Sequence, residues 1–191
     1  MGTIKTTNIE TITGSGTLTI GQSGETINIP SGCTITNNGT QTGFGGTMTP
    51  AFHVSLSAIQ QTTDLATTKV QFDTESFDTD NCFDNSTNYR FTPTVAGKYF
   101  IYTSLSCRSD STNQLVNLRT YIYKNGSELI KSIGTDFRTN NGYQTLNYTG
   151  AIIEMNGSTD YIEFFARVDH QGGTNGGVDA GSYAGSYKII E

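Results

Sequence analysis

The chain has 191 residues, with 22 glycines, 3 prolines, no tryptophan and 15% charged side chains. Thr, Asn, Ser and Gly fill the balance; the stiff χ1 of Thr and the local hydrogen bonding of Asn and Ser favour strands and turns over helices. A net charge of −6, with 11 scattered Lys and Arg, excludes a phosphate-binding surface and with it nucleic acid as a main partner.

Residues 1–46 come first and carry three charged side chains (Lys5, Glu10, Glu25), one aromatic (Phe44) and eight aliphatics. The opening MGTIKTTNIE lacks the apolar run of a signal peptide, and no later run is long enough to span a membrane. The expectation is synthesis in a cytoplasm, without membrane insertion. From residue 11 the text alternates aliphatic residues with Thr or Asn and is cut by GSG, GQSG, PSG and NNG. Leu18 and Ile20, Ile27 and Ile29, then Ile35 recur every eight or nine residues. Two residues apart, each pair falls on one face of a short strand. Eight aliphatic side chains are too few to offset the backbone entropy of 46 ordered residues, so this β-stem needs neighbours to share its apolar face. TGFGG (42–46) then reads as a joint, which places the second domain at 47–191.

The second part reads as a series of strands: 50–57, 69–73, 89–93, 97–107, 117–125, 128–134, 145–155, 161–169 and 182–190. NG at 125–126 predicts a tight hairpin and NGSTD at 156–160 a second turn. The segment 57–68 shows no convincing helical period and reads as loop. Many short strands and no helix predict an all-β sandwich or jelly roll. Cys33, Cys82 and Cys107 form no ligand cluster and read as small buried apolar residues.

Within these strands stands a spaced set of aromatics, Phe72-x5-Asp78-x4-Phe83-x7-Phe91-x5-Gly97-x-Tyr99, with FTPTVAGKYFIYTSL, YIYKNG, NGSTDYIEF and a closing SYAGS in order. Residues 50–191 thereby resemble the complement C-one-q globular head, a trimeric jelly roll that shares its fold with tumour necrosis factor. Three positions depart from the family pattern: the Phe83–Phe91 gap is one residue longer, Ile101 stands at an aromatic position with Phe100 and Tyr102 out of phase, and Ser186 precedes Tyr187. The resemblance implies a ten-strand jelly-roll β-sandwich head on a short β-stem, assembled as a homotrimer. It implies that alternate aromatics on strands such as 97–107 and 182–190 are buried along the threefold axis. Tyr99 and Tyr187 are therefore expected at the trimer interface, joined in the stem by Leu18, Ile20, Ile27, Ile29 and Ile35. The first segment itself looks like the stalk that precedes such heads in bacteriophage and marine-virus fibre proteins.

If strands alternate in direction, loops 108–116, 136–145 and 169–182 share the end far from the stem. They carry Arg108, Asp110, Asn113, Gln114, Arg138, Asn140, Asn141, Tyr143, His170, Gln171, Asn175 and Asp179. Planar amides and carboxylates bond vicinal hydroxyls and Tyr stacks on a sugar face, so a host-surface glycan, or a protein, is the expected receptor. Asp73, Glu75, Asp78, Asp80 and Asp84 are dense enough to consider calcium, but their spacing is no EF-hand loop. They read as a solvated acidic loop, and no metal or cofactor is assigned. GQSGE lacks the spacing of a nucleophile elbow, and QGGTNGG lacks the Lys and helix of a phosphate loop. An enzyme is not expected. The expected function is a virion fibre or spike that adsorbs to its host; the alternative is a capsid decoration protein that contacts other virion proteins through residues 1–46.

Overall fold

The computed structural model describes residues 17–36, 38, 48–111, 113–171 and 176–189. The chain divides into two units, Met1–Thr42 and Gly43–Glu191.

In the first unit the chain reverses where its glycine punctuation predicts. Glu25 N–H donates to Gln22 O at 3.0 Å, Gln22 N–H donates to the Glu25 carboxylate at 2.6 Å, and Cys33 N–H donates to Pro30 O at 3.1 Å. The expected short strands do not form among the described residues of this unit. Runs of about four residues need an edge to pair with, and one copy of the segment provides none. Leu18, Ile20, Ile27, Ile29 and Ile35 accordingly stay 46–63% exposed. Cys33 is exposed as well, contrary to the reading of the cysteines as buried; only Cys82 and Cys107 are.

The second unit is all β, with thirteen strands where ten were expected: β1 (Ala51–Ser55), β2 (Gln60–Thr62), β3 (Thr67–Lys69), β4 (Thr74–Asp78), β5 (Phe83–Asp84), β6 (Arg90–Phe91), β7 (Gly97–Ser109), β8 (Leu115–Lys124), β9 (Ser127–Asp136), β10 (Gln144–Met155), β11 (Ile162–His170), β12 (Gly176–Val178) and β13 (Tyr183–Lys188). They form two antiparallel sheets. In the first, β12 and β13 pair successive stretches of one edge of β7, β2 and β1 pair them in turn, β4 closes one side and β10 the other. In the second the order is β5, β6, β11, β8, β9, with β3 also paired to β11. Consecutive strands change sheets repeatedly, as in a jelly roll.

The spaced aromatics of the sequence lie between the sheets. Phe52 stacks on Phe83 with ring centroids 4.8 Å apart, Phe91 meets Tyr99 edge-on at 5.6 Å, and Phe72 meets Phe164 edge-on at 5.8 Å. The expected strand 69–73 is instead the crossing between sheets. β3 ends at Lys69, β4 starts at Thr74, and Val70 and Phe72 face the core between them. The alternation there comes from burial on a bridging segment, which a strand pattern resembles. Four further strands lie inside expected loops: β2 within 57–68, β4 and β5 within the acidic segment 73–84, and β12 within 169–182. β12 falls in a glycine run because its backbone is squeezed: a Cβ on Gly177 would lie 2.4 Å from Gln60 O, on the paired β2.

The NG turn joins β8 to β9, with Asn125 and Gly126 both at positive φ (53° and 76°), the geometry a two-residue hairpin demands. Asn125 also reaches across to the start of β11. Its Nδ2 donates to Asp160 at 2.8 Å, and its Oδ1 accepts from Tyr161 N–H at 2.9 Å.

Candidate functional site

Strand register fixes which loops share an end. Ala51 lies opposite Tyr187, and Tyr187 opposite Phe100 near the start of β7. The unit's first strand therefore begins beside the NG turn and the turn at 156–160. β7, β9 and β11 finish at the other end, which gathers residues 110, 111, 113 and 114, the segment 137–143 and Gln171.

Asp110, Asn113, Arg138, Asn140, Tyr143 and Gln171 are exposed there. Three contacts join the loops: Asn141 Nδ2 donates to Gln171 Oε1, Gln171 N–H donates to Gln114 O at 2.7 Å, and Ser109 N–H donates to Tyr143 O at 2.9 Å. Arg138 turns back to Asp136, its Nε 3.2 Å from the carboxylate. Asn175 lies outside the described residues.

Two of the expected ligand-facing residues are interior. Asp179 is buried and receives Arg108 Nε at 3.0 Å, Ser106 Oγ at 3.0 Å and Gln144 Nε2 at 2.9 Å. It ties β7, β10 and the β12–β13 link together, so its carboxylate and the head of Arg108 are spent on the fold. His170 is 3% exposed, and neither ring nitrogen has a hydrogen-bond partner among the described residues. Gly176 lies against this imidazole so closely that a Cβ there would fall 2.2 Å from Cε1. Burial pushes the His170 pKa down, against the opposing pull of Asp64, Asp110 and Asp169.

The outer face of the first sheet has a different chemistry. Along β7 the side chains of Tyr99, Ile101, Leu105 and Cys107 point into the sandwich, which places Phe100 and Tyr102 on the other side. Tyr183 and Tyr187 of β13, His53 of β1, Phe77 of β4 and Tyr148 of β10 join them. Phe100 lies 5.7 Å from Tyr187 and 5.9 Å from Tyr102 by ring centroid. Tyr102 lies 6.4 Å from Tyr148 and 6.3 Å from Tyr183, and His53 bridges Tyr183 (5.4 Å) and Phe77 (6.3 Å). Phe77, Tyr148 and Tyr187 remain 50%, 51% and 38% exposed. His53 Nδ1 and Ser76 Oγ are 3.2 Å apart, but no carboxylate bonds this ring among the described residues, so the pair lacks the orienting third member of a nucleophilic triad.

This face corrects the assignment of Tyr99 to a subunit interface. Tyr99 is wholly enclosed by its own chain, its hydroxyl donates to Val95 O at 2.6 Å, and burial pushes its pKa up to about 12. Phe100 and Tyr102, out of phase with the family pattern, are the outward ones. Tyr187 lies on the outer face. The available signal was the run 99–102, apolar in both phases, which marks a strand covered on both sides.

A second apolar surface lies where β9 and β10 form one edge of the sandwich. Leu129, Ile130, Ile152 and Ile153 line a shallow cavity of about 380 Å³ there. The opposite edge, where β4 meets β5 and β6, is polar. Its aspartates are engaged one by one, whereas the Glu75 carboxylate is not, among the described residues: Asp73 accepts from Ser57 N–H at 2.8 Å, and Asp78 from Phe83 N–H at 2.7 Å. Asp84 accepts from the N–H groups of Ser86, Thr87 and Asn88 at 3.1, 2.8 and 3.1 Å. Those bonds, Thr87's foremost, hold the Asp84 pKa well below the usual carboxylate range. No three potential ligands converge on one point among the described residues.

Two antiparallel sheets with this order define a jelly-roll sandwich, and the solved structures agree. The murine APRIL structure at pH 5.0 covers 73% of this chain and 99% of its own at 13% identity, with a TM-score of 0.50. Murine APRIL at pH 8.0 (14% identity, 73% and 98% coverage) and the Eiger tumour necrosis factor of S. frugiperda (11%, 73% and 91%) each give 0.49. The second unit thus shares the jelly-roll fold of the murine APRIL structure at pH 5.0. No family model and no curated protein matches the chain.

Proposed function

We propose that the chain forms a homotrimer and serves as the head of a viral fibre or spike, whose end loops attach to a glycan on the host surface. The observation that carries the reading is the aromatic outer face of the first sheet. Soluble monomers rarely leave a contiguous patch of this kind in water. The apolar β9–β10 edge is a second, non-identical surface on the same chain. Two unlike complementary patches make a head-to-tail contact, which closes into a ring when the rotation allows. Tyr suits such a contact, since its ring is buried while its hydroxyl finds a partner. In a trimer the exposed Asn113, Arg138, Asn140, Tyr143 and Gln171 would stand in three copies around one end.

Sedimentation of the full chain should give three times the 20.6 kDa protomer mass. Tyr143→Ala and Arg138→Ala should abolish adsorption to host cells and leave that mass unchanged; unaltered adsorption would overturn the receptor reading. A second reading, a decoration protein on a virion shell, draws on the five exposed aliphatics of residues 17–36, which await a partner surface. It predicts that deleting residues 1–46 releases the trimer from particles and leaves the shell fragile.

A further inference from the structure

The polar edge of the sandwich holds a cavity of about 550 Å³ between β4 and the segment 81–92. This is within the range of small-ligand sites, roughly 300–1,000 Å³. Its wall is fixed without any ligand. Phe83 N–H is tied to Asp78, Thr92 N–H donates to Cys82 O at 2.8 Å, and Asp84 holds the turn at 86–88 by three main-chain bonds. Asn88 Nδ2 adds a fourth bond to Asp84 at 2.7 Å, and Lys69 Nζ donates to Asn88 O at 3.1 Å.

Against this fully engaged frame, four lining side chains make no hydrogen bond or ion pair with the described residues: Glu75, Asn81, Thr87 and Arg90. Arg90 only lays its guanidinium over Tyr161, 4.5 Å from the ring centroid. A register shift between His53 and Val54 sets Phe77 opposite His53 and Glu75 opposite the inward-facing Val54, which parts this carboxylate from the aromatic face. Glu75 offers acceptors only, Arg90 donors only, and the Asn amide and Thr hydroxyl offer both. Together the two charges cancel.

We infer that this cavity is a binding site for a neutral polyhydroxylated ligand, a hexose unit of a saccharide. A compact body with alternating hydroxyl donors and acceptors satisfies all four groups at once. An anion is disfavoured by the flanking Asp73, Asp78 and Asp80. No exposed aromatic ring lines the cavity to stack on a pyranose face, so affinity rests on hydrogen bonds and falls in the millimolar range, on the order of 1–10 mM. The site is on the flank of each protomer and is independent of the end loops, so a failed adsorption experiment leaves it standing.

The test is a titration of the full-length protein with D-glucose, D-galactose and D-glucuronate, followed by amide chemical shifts of residues 75 and 81–92. The expected result is saturable shifts with at least one neutral hexose, weaker binding of glucuronate, and at least tenfold weakening in both Glu75→Ala and Arg90→Gln at unchanged melting temperature. Thr87→Val serves as a third variant should Arg90→Gln perturb the Tyr161 contact. The inference is overturned by absence of shifts up to about 100 mM of either hexose, by tighter binding of glucuronate than of both hexoses, or by variants that bind as the parent does.

Discussion

The outer faces of the two sheets differ in what they leave unfinished. On the second sheet Lys69 pairs with Glu163 and lies over the Phe165 ring, Arg167 donates to Leu65 O at 2.7 Å, and Tyr123 packs on Phe165 with centroids 4.3 Å apart. Charge and ring are interleaved on that face. On the first sheet the rings pack on one another, and three of them are more than a third exposed. One sheet is half-solvated in the ordinary antiparallel way; the other has a buried face and a second face built like one. Alternation along a strand separates its two faces but does not say which of two apolar faces belongs to the strand's own core.

Substitutions sharpen that contrast. The largest effect belongs to the shared interior: Phe91→Ala should cost about 3–5 kcal/mol of unfolding free energy, read by chemical denaturation. Tyr148→Asp, on the outer face of the first sheet, should leave the circular dichroism spectrum intact while sedimentation drops from trimer to monomer. Tyr123→Ser, on the second sheet, should cost about 1 kcal/mol and leave the assembly untouched. If Tyr123→Ser disrupts assembly and Tyr148→Asp does not, the two faces have been assigned the wrong way round.

Acid provides a milder probe. His170 binds its proton less readily in the fold than in the open chain, so the unfolded state holds more protons as pH falls below about 6.5. Stability from this group is fully present above that pH and is lost on acidification, at no more than about 1.4 kcal/mol per pH unit. His170→Gln should flatten the melting-temperature profile between about pH 6.5 and 5; an unchanged slope would assign the acid sensitivity elsewhere. Asp84 behaves likewise in a separate, lower window, because its carboxylate is stabilised by main-chain N–H groups. The smallest expected effect is Arg138→Ala, which should shift stability by less than about 0.5 kcal/mol, since its ion pair with Asp136 is solvent-exposed.

The long strands of the second unit and its hairpin at Asn125–Gly126 were legible in the sequence because strand alternation and turn chemistry agree there. Where the two conflict, the sequence misleads. Gly176 and Gly177 read as loop because glycine usually marks flexibility, whereas here they admit close neighbours on both sides. His170 and Asp179 read as ligand groups because they lie in loop 169–182 at the far end, yet both are buried. Phe100 and Tyr102 were visible as rings but unreadable as outward-facing, since the phase of β7 depends on partners contributed by β13 and β10. The cavity at Glu75 and Arg90 joins residues from strands of different sheets, and no local pattern announces it.

The tie from Asn125 to the start of β11 bears on how the molecule ages. An Asn followed by Gly is the peptide most prone to cyclise, shed ammonia and become a mixture of aspartates, as Asn residues are among the thermolabile ones. That chemistry requires the side-chain carbonyl to swing toward the following nitrogen. In this turn both ends of the amide are held, one by Asp160 and the other by Tyr161 N–H. The same two contacts that close the hairpin therefore guard its most perishable bond, and the folded protein should outlast its own unfolded chain in storage.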